Sequence, residues 1–394
     1  MISSIKRLWR DRRGNVLAIA GATLPLVVGA AGLATDTIQW TTWKRELQRQ
    51  ADSAAFAGVL AQSQSANVST AVNTDIAKND NHRVSLLSGY PEISYPTSTT
   101  SGVSRLVKVD LPNQRRLSFS SLFLSAPPII RTSATAGLVD DGIYCAGALK
   151  KSGAPLTLGG SSDVNLGCKA ISNGSGCPSV TTNGSNYNFT TTGVSGAACM
   201  PSAINGTNPA NIKPWQPPLK DPFEGLYPTE IPDSEKPCKN SNQQMRDDQP
   251  GPGKDYHFEP GCYTDFHITG NETYTLDPGV YYLDSTDFDI GGGVTIVGTG
   301  VTIILTGSDP GSLSPNGNAI IQLTAPTTGT YSKMLFIQSA GAEADNINKI
   351  NGDSGSKYDG ALYFPNGHVQ FNGSSGAMTK CVMVMAGSLE FTGN

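Results

Sequence analysis

From Gly14 to Thr35 the chain runs for 22 residues without a charge, and Asp36 ends the run. At helical rise this is about 33 Å, close to the roughly 30 Å hydrocarbon core of a bilayer. The run predicts a membrane-spanning helix over 14–35, and everything after it is then cargo on one side of a membrane. Lys6, Arg7, Arg10, Arg12 and Arg13 precede the run against a single Asp11. The positive-inside rule therefore keeps residues 1–13 in the cytoplasm and sends residues 36–394 across. A cleaved signal peptide shares the basic start and apolar core, and Ala30-Ala31-Gly32 offers it a small-residue site. The length of the run and Pro25 within it favour the anchor, since neighbouring helices tolerate a proline kink in a membrane.

Splitting the charge at Thr35 leaves 23 basic and 31 acidic residues beyond it, a net of −8. That balance argues against nucleic acid as a partner, because phosphate binding needs basic patches. All seven cysteines (Cys145, Cys168, Cys177, Cys199, Cys238, Cys262 and Cys381) lie in this part. An oxidising compartment such as the periplasm fits them as disulfides. Sequence order pairs Cys145 with Cys168, Cys177 with Cys199 and Cys238 with Cys262, leaving Cys381 over. A zinc site is not expected, since no two cysteines stand at C-x-x-C spacing and the four histidines are scattered.

Residues 36 to about 62 continue the helix. Trp40, Trp43, Leu47, Ala51, Ala54 and Gly58 recur every three or four residues and share a face. Lys44, Arg45, Glu46 and Arg49 take the other faces. The narrowing of that seam to Ala and Gly admits close approach of a sheet or another helix, as core packing or as a protein–protein seam. A second helical piece is expected over 66–80. Val103, Arg105, Val107, Val109 and Leu111 alternate with their neighbours, as do Thr132, Ala134, Ala136 and Leu138, which predicts strands. Between them Leu117 to Phe123 reads as a turn or short helix closed by Pro127-Pro128. A long helix on a few antiparallel strands, over 36–141, is a pilin-like α/β neck.

The stretch Arg12 to Ala61 resembles the N-terminal region of TadG-like proteins of the tight-adherence (Tad/Flp) pilus-assembly system. The marks are the Arg13-Gly14-Asn15 junction, the Leu24-Pro25 pair, Gly32 with Asp36 four residues later, and Gln50-Ala51-Asp52-Ser53-Ala54-Ala55. The segment from Leu117 to Val139 resembles the corresponding region of relatives more loosely. The resemblance implies a bacterial inner-membrane protein with a periplasmic domain that assists assembly or anchoring of an adhesive pilus. Its partners would be the membrane and other pilus-assembly components, with self-association through the N-terminal helix left open. Two departures stand out. Pseudopilins of that system carry a Glu five residues after the processed Gly, and counting from Gly14 that place holds Ile19. Some relatives carry a von Willebrand A-like domain with an Asp-x-Ser-x-Ser metal site, a motif this sequence lacks.

From Gly142 onward the text is short β runs punctuated by Gly and Asn-Gly. Pro260-Gly261-Cys262-Tyr263 recurs as Pro278-Gly279-Val280-Tyr281, and Asp265-Phe266-His267-Ile268 as Asp287-Phe288-Asp289-Ile290. Gly367 to Gly373 recurs as Gly387 to Gly393. Repeats near 20 residues, closed by turn formers, predict a parallel β-helix (β-solenoid), with a β-sandwich as the competing mainly-β fold. Residues 213–260 hold ten of the 25 prolines. They predict a Pro-rich loop or linker over 213–253, pinned by Cys238, between a β-rich segment (142–212) and the main solenoid segment (254–394). Asn173, Asn183 and Asn205 match the glycosylation pattern but read as turn residues. The last strand, ending at Phe391-Thr392-Gly393-Asn394, is expected to present a sticky edge, read either as a truncated sequence or as an edge that a partner covers.

For chemistry the strongest candidate is Asp284, Asp287 and Asp289, ahead of Gly291-Gly292-Gly293. On a regular strand Asp287 and Asp289 share a face, as an acid/base pair or a calcium site would need. The plainer reading makes them exposed positions between inward-facing Phe288 and Ile290. The His-Gly and Arg-x-Lys companions expected on neighbouring coils of β-helix glycosidases are missing. Asp255-x-His257 and Asp265-x-His267 are further metal candidates that read better as solvated strand. The expectation is a structural protein without cofactor, metal or catalytic residues. A membrane-tethered β-helix carbohydrate-active enzyme, of the pectin lyase or polygalacturonase kind, and a non-catalytic glycan-binding adhesin are the alternatives.

Overall fold

The computed structural model describes residues 14–64, 66–79, 86–100, 103–139, 142–228, 230–240, 245–247, 256–343, 346–351, 355–372 and 378–393. The basic N-terminus, Asp255, Gly373 and the side chain of Cys381 lie outside the described residues. The chain divides into two compact units, Met1–Asp141 and Gly142–Asn394.

The first unit is built on helix α1 (Gly14–Ser63), which runs through Pro25 unbroken. Thr23 and Thr35 turn their hydroxyls back to the carbonyls of Ile19 and Ala31, each at 2.9 Å. Such back-bonding satisfies a polar side chain inside an apolar helix that offers no other partner. Helix α2 (Val68–Asn79) comes next, started by Asn67, whose side chain accepts from the Thr70 N–H at 2.9 Å. Strands β1 (Glu92–Ser94), β2 (Val103–Gln114) and β3 (Ile129–Val139) form an antiparallel sheet in that order.

Leu47, Ala51, Ala54, Ala55 and Val59 of α1 are buried against Val107, Val109 and Leu111 of β2, Ile130 of β3 and Val72 of α2. A Cβ added at Gly58 would lie 2.9 Å from Val107 Cγ1, so this glycine sets how closely helix and sheet approach. The expected alternation of β2 holds from Val107 on. Below it the register slips between Ser104 and Val107, with Arg105 at φ 51°. An extra residue in one strand shifts the pleat, which is why Val103 does not continue the buried face.

The second unit is a parallel β-solenoid of about nine turns. A representative coil has strands Gly279–Asp284, Phe288–Ile290 and Thr295–Thr299. These pair in parallel with Val301–Thr306, Leu313–Pro315 and Ile320–Thr324 of the next, giving three strand-lined faces around one core. Identical residue types stack along the axis: Phe266 on Phe288 (5.3 Å between centroids) and Phe371 on Phe391 (4.7 Å). Each such ring contributes on the order of 1.5–3 kcal/mol by burial. Two of the sequence repeats give the register directly: His267 faces Asp289, and His368 faces Ser388. The Pro-Gly-x-Tyr repeat does not, since Gly261 pairs with Tyr281 rather than Gly279.

The coils do not stack in chain order. The final strand, Met378–Gly393, pairs on one side with Lys357–Asn372. On its other side lie Tyr144–Ala148 (Val384 opposite Ala146) and Leu156–Gly160 (Leu389 opposite Leu156). The expected bare edge at the end of the sequence is therefore corrected. That strand is interior to the stack, and the coils of 142–196 continue beyond it.

The two β segments are thus one solenoid, and the Pro-rich stretch carries the chain back along its outside. Eight inter-coil spacings amount to about 38 Å, and the extended chain from Lys213 to Cys238 reaches about 80 Å, so the return is comfortable. Phe223, Leu226, Tyr227 and buried Ile231 cover an outer apolar strip that includes Tyr282, Ile304, Ile337 and Tyr363. Asn173 grips the backbone of Leu219 twice, at 2.8 and 2.7 Å, and the Tyr363 hydroxyl donates to Asp221 at 2.6 Å. The strap ends in the Cys238–Cys262 disulfide. Cys145–Cys168 and Cys177–Cys199 tie neighbouring coils, so the three pairs keep to sequence order.

Candidate functional site

Helix α1 changes character at Asp36. On its N-terminal side Leu24, Leu26 and Val27 are 65, 74 and 64% exposed, and Ile19, Val28 and Leu33 are exposed as well. Pro25 is exposed with them. On the other side Leu47, Ala51, Ala54 and Gly58 are buried in the core of the first unit, Trp43 is half-buried and Trp40 is exposed. The face read from Trp40 to Gly58 is therefore core packing from Trp43 onward. The stretch before Asp36 has the length and composition to cross a membrane.

Asp36 itself is buried, and its carboxylate is fully occupied. It accepts from the N–H groups of Phe119 (2.8 Å) and Ser120 (2.5 Å) and from the Ser120 hydroxyl. Burial pushes its pKa up, but the Ser120 hydroxyl and the backbone N–H groups of Phe119, Ser120 and Ser118 outweigh it and hold the carboxyl below its ordinary value. One turn nearer the N-terminus, the Phe119 ring lies directly on Gly32, where any Cβ would collide with it. Gln39 completes the grip, with Nε2 donating to the Ser118 hydroxyl at 2.7 Å. Gly32 and Asp36 thus form a socket for residues 118–120. The sequence singles out Gly32 and Asp36 as marks of the resemblance and Leu117 to Phe123 as a turn or short helix, but carries no signal that the two meet.

The three aspartates of the solenoid are dispersed into separate bonds. Asp284, half-buried, accepts from Ser285 at 3.2 Å. Asp287 caps the next coil by accepting from the Ser312 N–H (2.6 Å) and hydroxyl (3.0 Å). Asp289 meets His267 Nδ1 on the preceding coil at 2.6 Å. Phe288 and Ile290, on either side of Asp289, are buried in the core. His257 with Asp277 (3.0 Å) and His368 with Glu390 (3.2 Å) repeat the same coil-to-coil pairing. Among the described residues, Cys238, Cys262 and Asp284 are near enough to one another to hold an ion. Those sulfurs are joined to each other and supply no thiolate.

Residues 14–63, the whole of α1, match the protein-family model described as putative Flp pilus-assembly TadE/G-like. This segment is TadE/G-like. The match relates α1 to Flp pilus assembly and includes both the exposed apolar stretch and the seam beneath it, while residues beyond 63 lie outside it. No curated protein and no solved structure matches the chain.

Proposed function

We propose that this protein is a membrane-anchored, non-catalytic assembly component of a Tad/Flp-type adhesive pilus. The reading places it in the bacterial inner membrane with its N-terminus in the cytoplasm and residues beyond Asp36 in the periplasm. The observation that carries it is the coincidence of three properties in one helix. The TadE/G-like segment is α1, its first half is apolar and uncovered, and its second half is the core of a folded neck. Three disulfides in the second unit agree with an oxidising compartment. A structural role for the solenoid agrees with aspartates that serve as coil-to-coil bonds.

Surface-pilus counts and adhesion in a strain lacking this gene, with and without the wild-type copy, test the proposal. Loss of pili that the wild-type copy restores is the expected result. Unchanged piliation on deletion would remove the assembly role.

A further inference from the structure

We propose that residues 117–124 form a second membrane contact, an apolar loop seated in the lipid bilayer beside helix α1. This rests on the membrane-anchor reading above and adds a site that the TadE/G-like match does not reach, since that match ends at residue 63.

After buried Leu117 the chain makes a short 3-10 turn at Ser120–Leu122, and Leu122 and Phe123 are each 74% exposed, with Leu124 at 49%. Three consecutive large apolar side chains on one exposed turn is costly in water, and such patches mark a partner surface. The turn is held rather than loose. The Leu122, Phe123 and Leu124 N–H groups donate to Phe119 and Ser120 carbonyls at 3.0, 3.0 and 2.9 Å, and the Phe119 and Phe123 rings meet edge to face at 5.3 Å.

Its position names the partner. The ring of Phe119 rests on Gly32, which belongs to the uncharged run itself, and the carboxylate of Asp36 at the end of that run fixes the loop's backbone. A loop docked on the last turn of a membrane span stands at the depth where that span leaves the hydrocarbon. Ile38, Leu33 and the loop's Leu122 and Phe123 are all exposed around this level. About 6 and 10 Å further along the helix come Trp40 and Trp43. Lys44 Nζ sits 5.0 Å from the Trp40 ring and the Arg115 guanidinium 5.4 Å from the Trp43 ring. Apolar wedge, then tryptophans, then cations is the order in which a bilayer presents hydrocarbon, interfacial belt and the polar headgroup layer that long cationic side chains reach into. Asp36 is the positioning residue: its buried carboxylate satisfies the backbone N–H groups of a turn that would otherwise enter an apolar phase unpaired.

The test uses the full chain with Cys381→Ser, so that no odd native thiol competes. A polarity-sensitive dye is attached through Phe123→Cys or, as control, Thr99→Cys, which lies before the start of the 12-residue β2, whereas the loop lies beyond its other end. Each protein is reconstituted in vesicles of phosphatidylcholine with an anionic lipid, and quenching by lipid-borne nitroxide is compared with quenching by aqueous iodide. The lipid-to-iodide quenching ratio at 123 is expected to exceed that at 99 by about tenfold. Gly32→Leu, which evicts the Phe119 ring, is expected to collapse that difference. Iodide access at 123 equal to that at 99 would overturn the loop contact, leaving the anchor intact. Protection from both quenchers would mean that a protein covers the loop, and would overturn the lipid assignment. Release of the unlabelled chain from vesicles by alkaline carbonate would overturn anchor and loop together.

Discussion

In the first unit, Leu47, Ala51, Ala54, Ala55 and Val59 of one helix meet Val107, Val109 and Leu111 of a short antiparallel sheet. The second unit spreads its interior over about nine coils, stacks aromatic rings from one coil to the next and carries all three disulfides. The difference is one of distribution. A neck with a single seam depends on the close fit of each small residue along it. A solenoid is quasi-one-dimensional, so each coil depends on its neighbours, and damage stays near where it is made. What is non-local in the second unit is the return strap and the pairing of 378–393 with 144–160, which joins the first and last strands of that unit.

The largest expected effect sharpens the coil side of this comparison. Phe288 lies between Phe266 and Phe336, at 5.3 and 5.4 Å, and Phe288→Ala should cost about 3–5 kcal/mol in urea unfolding of the second unit. Hydrogen exchange should show the loss concentrated in the coil of Phe288 itself at 279–299, in the flanking coils at 261–276 and 301–324, and at Met334–Gln338. Uniform loss across all coils would contradict the nearest-neighbour picture.

Replacing Cys238 and Cys262 together by Ser should cost about 3–4 kcal/mol, because the loop they close has a sequence separation of 24. Limited proteolysis should then cut within 213–238 while the coils stay resistant. Gly58→Ala tests the neck. With Val107 Cγ1 at 2.9 Å and Val72 Cγ2 at 3.1 Å from the added methyl, overpacking should cost about 1–3 kcal/mol, read as a lower Tm.

A pH-gated effect comes next. The folded carboxyl of Asp36 lies below its ordinary 3.8, so its contribution is fully present above that value and is lost as pH falls through the lower folded one. Thermal melts taken from about pH 5 down to about pH 2 should lose more stability in the wild type than in Asp36→Asn. Smallest of all, Asp284→Ala, Asp287→Ala and Asp289→Ala should each shift stability by less than about 1 kcal/mol, since their bonds lie at exposed or half-exposed positions.

Much of this fold is legible in the sequence. The uncharged run and the periodicity from Trp40 to Gly58 predict α1 nearly end to end, because helical periodicity leaves a direct trace in the sequence, though Trp40 itself is exposed. The 22- and 20-residue repeats predict the solenoid and, at His267–Asp289 and His368–Ser388, its register. Pro-Gly-x-Tyr misleads by two residues because corners of unequal length separate the repeats. The stacking of 378–393 on 144–160 leaves no trace, since parallel pairing is made by backbone groups that every residue carries. Gly32 and Asp36 are visible through the family likeness and Leu117 to Phe123 as a turn, but their contact across some 80 positions is not.

The most direct measurement is piliation of a strain lacking this gene, rescued by two full-length variants at matched membrane abundance. One carries the three aspartate-to-alanine changes in the solenoid; the other carries Ala51→Leu and Ala54→Leu in the neck seam. The aspartate variant is expected to restore pili as the wild type does, and the seam variant to fail. Rescue by the seam variant with failure of the aspartate variant would place the function in the solenoid's carboxylates and contradict the structural role.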